Sequence, residues 1–359
     1  MIDTTENCRH CLMCRHMCPV GHVTHLESLT PHGWGQIVAS EKRGLIEWNK
    51  STVDTMYGCA DCGLCKSHCV TDQRLPDTIA GVRAQLVEGD LVSTSIQELK
   101  TQFEQWENLY EKKAPAPSEG TSDDVLFVGD AAVYLSPESL SAALKLLDAA
   151  GVSPLLIGSG RNNGYLASSL GYADLAKSLA EKNLAEIAAS GAKRVFVLSP
   201  GDVYTFTDLY ENRLGLKWPD NVELVDVVPF LDEKLTAGKL KFQRIEMGLP
   251  HAYVDPTHTI RVLDRVEAPR RLLEAVLPTA PLELFWRKDR AFPCGDGALQ
   301  FVNPTISEKL TNARVDDARE TGAQGVITED PATLHQLSNA SAKGMPAKGL
   351  FELLADRLA

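Results

Sequence analysis

Cys8-Arg9-His10-Cys11-Leu12-Met13-Cys14-Arg15-His16-Met17-Cys18-Pro19 sets a spacing that Cys59-Ala60-Asp61-Cys62-Gly63-Leu64-Cys65-Lys66-Ser67-His68-Cys69-Val70 repeats. In each run two gaps of two residues are followed by one of three, and the first run ends on proline. That is the spacing of 4Fe–4S cubane ligation. Three closely spaced thiolates on a tight loop can each take an iron corner of one cube. The fourth cysteine lies beyond the loop's reach and serves the other cluster. The expected ligand sets are therefore Cys8, Cys11, Cys14 and Cys69 for one cluster, and Cys59, Cys62, Cys65 and Cys18 for the other.

Zinc sites use paired C-x-x-C units and do not call for two matching four-cysteine runs. Eight of the nine cysteines fall between Cys8 and Cys69, and the ninth is Cys294. Such clustering speaks for ligation, and a disulfide framework conflicts with the compartment that the rest of the chain suggests. The N-terminus, Met1-Ile2-Asp3-Thr4, lacks a signal-peptide pattern, and no run of eighteen apolar residues reads as a transmembrane helix. A cytoplasmic protein without direct membrane insertion is expected, one that serves any membrane process through a partner. The formal net charge of −12 argues against non-specific binding to nucleic acid or anionic lipid.

Val20 to Gly58 is a long insert between the runs. It contains a helix-like segment, Gly35 to Trp48, and a second helical pattern sets in at Gln85. Clusters carried at helix ends resemble the α-helical ferredoxin domain of the iron–sulfur subunits of succinate dehydrogenase, glycerol-3-phosphate dehydrogenase and heterodisulfide reductase. The resemblance covers roughly residues 1–100. Six histidines (His10, His16, His22, His25, His32 and His68) share this region. With eight cysteines complete, they read as hydrogen-bonding and surface groups rather than ligands.

The domain is placed at 1–110 and a charged, proline-bearing linker at 111–122. Beyond it, short apolar runs such as Val125–Val128 and Val195–Leu198 read as buried parallel strands. Leu140–Ala150 and Tyr172–Ser190 read as helices between strands. Leu146-Leu147-Asp148-Ala149 recurs as Leu272-Leu273-Glu274-Ala275, and Gly191-Ala192-x-x-Val195 with Pro200 recurs as Gly322-Ala323-x-x-Val326 with Pro331. Two α/β halves, 123–245 and 246–359, explain the repeats. The expected fold class is α+α/β: a helical domain, then two repeated α/β halves with parallel sheets.

That order resembles the family with paired cysteine-cysteine-glycine domains, which includes the catalytic subunit of heterodisulfide reductase and the iron–sulfur subunits of glycolate oxidase and anaerobic glycerol-3-phosphate dehydrogenase. In that family each half may carry a strand-end cysteine, a Cys-Cys-Gly triplet and a Cys-Pro-x-Cys turn. Here the first half has Asp130, Asn162-Asn163-Gly164 and Ser199-Pro200-Gly201-Asp202 instead. The second has Thr257, Pro293-Cys294-Gly295 and Asp330-Pro331-Ala332-Thr333. The backbone-shaping glycines and prolines remain while the thiolates are gone, apart from Cys294. The α/β pair therefore reads as a degenerate scaffold, with Cys294 a buried remnant. Asp130, His258 and Asp330 are the candidates to line what is left of the cluster cavity.

The resemblance implies an electron-transfer subunit with two 4Fe–4S clusters and no catalytic residue of its own. It would pass single electrons between a flavin-dependent dehydrogenase and an electron-transferring flavoprotein, a ferredoxin or a quinone reductase, within a hetero-oligomeric complex. No G-x-G-x-x-G opens a strand–helix unit, and Gly158-Ser159-Gly160 fits the triplet loop better, so the flavin is expected on another polypeptide. The alternatives are a catalytic, heterodisulfide-reductase-like α/β pair and a module whose clusters are structural only.

Overall fold

The computed structural model describes residues 8–116, 118–340 and 344–359. Met1–Thr4 and Pro117 of the expected linker lie outside the described residues. The fold is α+α/β: helices up to Trp106, followed by two four-stranded parallel sheets.

The insert between the cysteine runs holds helices Pro31–Lys42 and Lys50–Met56. The first starts earlier than the sequence suggested, because the Thr30 hydroxyl caps it by accepting from the Gly33 N–H at 3.2 Å and Pro31 sits at the first helical position. It also ends earlier. Gly44 adopts φ 68° and its N–H returns to the Glu41 carbonyl at 2.8 Å, so 43–48 are not helical. The pattern read from Gln85 belongs to two helices, Leu75–Glu88 and Thr94–Trp106, so it sets in ten residues late.

The first sheet contains β1 (Asp124–Phe127), β2 (Leu155–Ile157), β3 (Arg194–Val197) and β4 (Glu223–Asp226) in the order β2-β1-β3-β4. The second contains β5 (His251–Tyr253), β6 (Leu282–Glu283), β7 (Gly325–Thr328) and β8 (Ala347–Gly349) in the order β6-β5-β7-β8. The orders are equivalent, and the sequence repeats occupy equivalent places. The Leu146 and Leu272 blocks lie on helices Pro137–Ala149 and Ala268–Val276, and the Gly-Ala blocks precede β3 and β7. β1, β3 and β7 are buried along nearly their whole length, as parallel strands covered on both faces must be.

The halves exchange helices. The C-terminal helix Leu350–Ala355 packs on Pro137–Ala149 of the first half, and Val227–Thr236 of the first half packs on Ala268–Val276 of the second. Leu146, Leu231, Leu273 and Leu354 thus share one core. The helical region and the first half share another, through Trp34, Met56, Leu86, Phe103 and Phe127. Among the described residues, no helix is long and apolar enough to cross a membrane.

Candidate iron–sulfur site

The two cysteine loops have the same backbone shape. Two and four residues after the leading cysteine, the chain turns left-handed: His10 (φ 52°) and Leu12 (φ 62°) in the first loop, Asp61 (φ 49°) and Gly63 (φ 88°) in the second. Each non-glycine residue held there costs about 1–2 kcal/mol, a strain that marks a functional turn. The turn aims amides at sulfur. His10 N–H donates to Cys8 Sγ and Asp61 N–H to Cys59 Sγ, both at 3.4 Å. The fourth cysteines receive amides as well. Cys18 caps helix Pro19–Thr24 and accepts from Gly21 N–H at 3.4 Å, while Cys69 accepts from Gln73 N–H at 3.3 Å. Such N–H···S bonds stabilise thiolate charge and tune cluster potentials.

The sulfurs ring two adjoining cavities. Cys8, Cys11, Cys14 and Cys69 line the first. Cys18, Cys59, Cys62 and Cys65 line the second. Cys65 stands in the wall between and touches both. Its thiol is pushed well up by burial and then by the Cys62, Cys59, Cys18 and Cys14 sulfurs. Burial, with Cys8, Cys69 and Cys11 alongside, pushes Cys14 up to about 11. Burial pushes Cys62 up to about 12. Thiols so disfavoured as anions need a cation beside them to ligate as thiolates, and iron would supply it. None of the nine cysteines is in a disulfide. Among the described residues, no three His, Cys, Asp or Glu side chains close around a point that would hold a single ion.

The cavities differ in exposure. Cys11 is exposed, whereas Cys18, Cys59 and Cys62 are buried. Three arginines converge on the buried loop, one from each structural unit. Arg83 donates to the carbonyls of Met56 at 2.7 Å and Cys59 at 2.9 Å. Arg213, from the first α/β half, grips the Asp61 carboxylate with two 2.9 Å bonds, and Arg261, from the second, donates to the Asp61 carbonyl at 2.6 Å. Burial alone would raise the Asp61 carboxyl, but Arg213, Arg261 and Arg83 together hold it far below the usual carboxylate range. Gly63 is required twice over. Its φ is left-handed, and a Cβ there would lie 2.9 Å from the Arg261 guanidinium carbon.

A third cavity lies between the α/β halves. It is lined by Asp130, Asp202, His258 and Asp330, all at positions that the degenerate motifs singled out, and by Asp296, which they did not. Asp296 sits two residues beyond Cys294, close enough to the old triplet to have been suspected. Cys294 itself is fully buried and does not line the cavity; its N–H donates to Thr257 Oγ1 at 3.3 Å. The two Pro turns now cap helices. Ser199 Oγ accepts from Asp202 N–H at 3.2 Å, and the Asp330 carboxylate accepts from Thr333 N–H at 2.7 Å. His258 stacks on Tyr204, and Arg261 lies over the same ring at 4.1 Å, so an aromatic and cationic row joins this cavity to the buried cysteine loop.

Known proteins are similar to this chain in a consistent way. Residues 4–72 match the model of the 4Fe-4S dicluster domain, and residues 252–338 match that of the cysteine-rich domain. The D subunit of the dihydromethanophenazine:CoB–CoM heterodisulfide reductase of Methanosarcina barkeri is 23% identical over 85% of this chain and 78% of its own length. Its counterpart in Methanosarcina acetivorans is 24% identical over 77% and 71%. A probable iron-sulfur-binding oxidoreductase, FadF, of Bacillus subtilis is 23% identical over 84% of this chain but only 46% of its own length. A hypothetical protein from Helicobacter pylori has the same fold, with a TM-score of 0.64 at 14% identity, over 90% of this chain and 68% of that one. The chain is homologous to these heterodisulfide reductase subunits and to the FadF-like iron–sulfur oxidoreductases.

Proposed function

We propose that this chain is an electron-transfer subunit that relays single electrons through two 4Fe–4S clusters. Cys8, Cys11, Cys14 and Cys69 hold one, and Cys59, Cys62, Cys65 and Cys18 hold the other. The observation that carries this reading is the pair of four-cysteine cavities that adjoin at Cys65, one reaching the surface at Cys11 and the other buried against the α/β halves. When bound, each cluster supplies a one-electron carrier. The protein's part is to keep the two within a shared wall, to donate N–H groups to the sulfurs, and to surround the inner site with the arginine–Asp61 network. A flavin-dependent dehydrogenase is the proposed donor, and an electron-transferring flavoprotein, a ferredoxin or a quinone reductase the acceptor, in a hetero-oligomeric complex. Unpaired thiols suit a reducing, cytoplasmic setting.

The alternative, disulfide reduction in the α/β pair, draws on the name of the methanogen relatives. It loses ground because the cavity between the halves is lined by carboxyls and not by sulfur.

Anaerobic purification with iron, sulfide and flavin counted per polypeptide tests the relay. About eight irons and eight sulfides are expected, with flavin on a co-purifying chain and two reducible signals in electron paramagnetic resonance. Stoichiometric flavin on this chain alone, or clusters that never reduce, would overturn it.

A further inference from the structure

The cavity between the α/β halves carries more acid than an electron relay explains. Asp130, Asp202, Asp296 and Asp330 all line it, and no lysine or arginine among the described residues does. Arg314, the buried cation beside Cys294, is paired with Asp317 at 2.8 Å. The acids are met by neutral donors instead. Asn162 donates to Asp130 at 2.9 Å, Asn163 to Asp202 at 2.8 Å, Thr257 to Asp296, and the Thr333 amide to Asp330 at 2.7 Å. The Ser199 hydroxyl adds a second bond to Asp202 at 3.1 Å. These amides and hydroxyls orient the acids without neutralising them.

A second observation points to a ligand independently of the acids. His258 lines the same cavity, is only 7% exposed, and its Nε2 has no hydrogen-bond partner. Burial and the neighbouring Arg261 hold this histidine down at about 3, so the ring is neutral and keeps a free lone pair. A buried polar nitrogen left unpaired costs roughly 1–3 kcal/mol, and a ligand group bonding to Nε2, as an N–H does when the ring proton sits on Nδ1, would relieve it. Tyr110 adds an aromatic ring to the lining, beside Asp130, Asp296 and Asp330.

We propose that this cavity binds a small organic cation bearing N–H donors, an amine or guanidine, held by Asp130, Asp202, Asp296, Asp330 and the His258 imidazole. A bare metal ion suits the geometry less well. Among the described residues no three acidic or histidine side chains converge on one point, whereas dispersed acceptors around a volume match the spread donors of a guanidinium. The tyrosine ring offers the cation an electron-rich face. The site occupies the place where related chains would carry sulfur ligands, and its new chemistry follows from the acids that stand there instead. It stands or falls apart from the relay, because it is read by binding and not by electron transfer.

The test is isothermal titration of the anaerobically purified, cluster-bearing chain with methylguanidinium chloride, alongside magnesium and manganese chloride. Saturable binding of methylguanidinium is expected. Asp202→Asn and Asp296→Asn, checked for iron content and melting, should each weaken it about ten- to hundredfold, the loss of one charge-assisted hydrogen bond. His258→Phe provides a further variant should one acid replacement fail to fold. No saturable heat, or affinity unchanged in the folded variants, would overturn the proposal. Displacement of methylguanidinium by magnesium or manganese would also overturn it, by giving the acids to a metal.

Discussion

Arg261 shows what single residues contribute to the proposed inner cluster site. Its guanidinium lies against Gly63, bonds to Asp61 and rests on Tyr204, so it sets a positive charge beside Cys62. A 4Fe–4S cluster on four thiolates becomes more negative when reduced, and a nearby cation favours that state. Arg261→Met should therefore lower the midpoint potential of the inner cluster by some tens of millivolts and leave the outer one in place. Arg261→Lys should recover much of the shift. Potentiometric titration followed by paramagnetic resonance separates the two signals, and equal shifts in both would refute the local account. Spacing alone singled out the eight cysteines that line the two cavities, whereas nothing local singled out this arginine. Arg261 meets Asp61 across 200 positions of sequence, and Arg213 meets it across 152. No local pattern announces such contacts.

Among the elements, the helices that follow β3 and β7 each begin on a proline that serves as a helix start. Pro200 and Pro331 stand at the first helical position, where a missing N–H costs nothing. Ser199 and Asp330 cap behind them. Ser199→Ala should cost about 1 kcal/mol, seen as a melting point lower by roughly 2–4 °C. Ser199→Thr, which keeps the hydroxyl, should restore it, and an unchanged melting point in Ser199→Ala would show the cap to be idle. The repeat that sequence comparison drew from these prolines and the Gly-Ala blocks was legible because it marks turns, where side-chain choice is narrow. Helix ends were less so. The Gly35–Trp48 segment starts at Pro31 and stops at Lys42, through a threonine cap and a glycine turn whose signals, Thr30 and Gly44, were present but outweighed by an apolar pattern. The exchange of helices between halves was illegible, since nothing in Leu350–Ala355 says which half it covers.

For the whole molecule, the two buried acid systems pull stability in opposite directions with pH. Burial pushes Asp130 up to about 6 and Asp202 up to about 7, the latter helped by Asp330 and Asp130 across the cavity. Asp296 and Asp330 are raised as well, by burial and, for Asp296, by Asp330. Unfolded, these groups titrate near ~3.9. Between about pH 4 and 7 the folded chain therefore binds more protons than the unfolded one. The stability they contribute is complete below that window and is lost as pH rises through 6 to 7. Asp61 works the other way. Its arginine pairs hold the carboxyl low, so its contribution is present above ~4 and lost on acidification. Urea unfolding of the cluster-bearing chain should show lower stability at pH 8 than at pH 5.5. Asp202→Asn, which mimics the protonated acid, should narrow the difference by on the order of 1–3 kcal/mol. An undiminished gap in that variant would mean that Asp202 is not the group responsible. A cation that binds only the folded, ionised cavity adds stability by mass action, and adds more of it at pH 8. Methylguanidinium should then close part of the gap in the parent chain and much less in Asp202→Asn, which ties the pH dependence of the fold to the occupancy of the cavity.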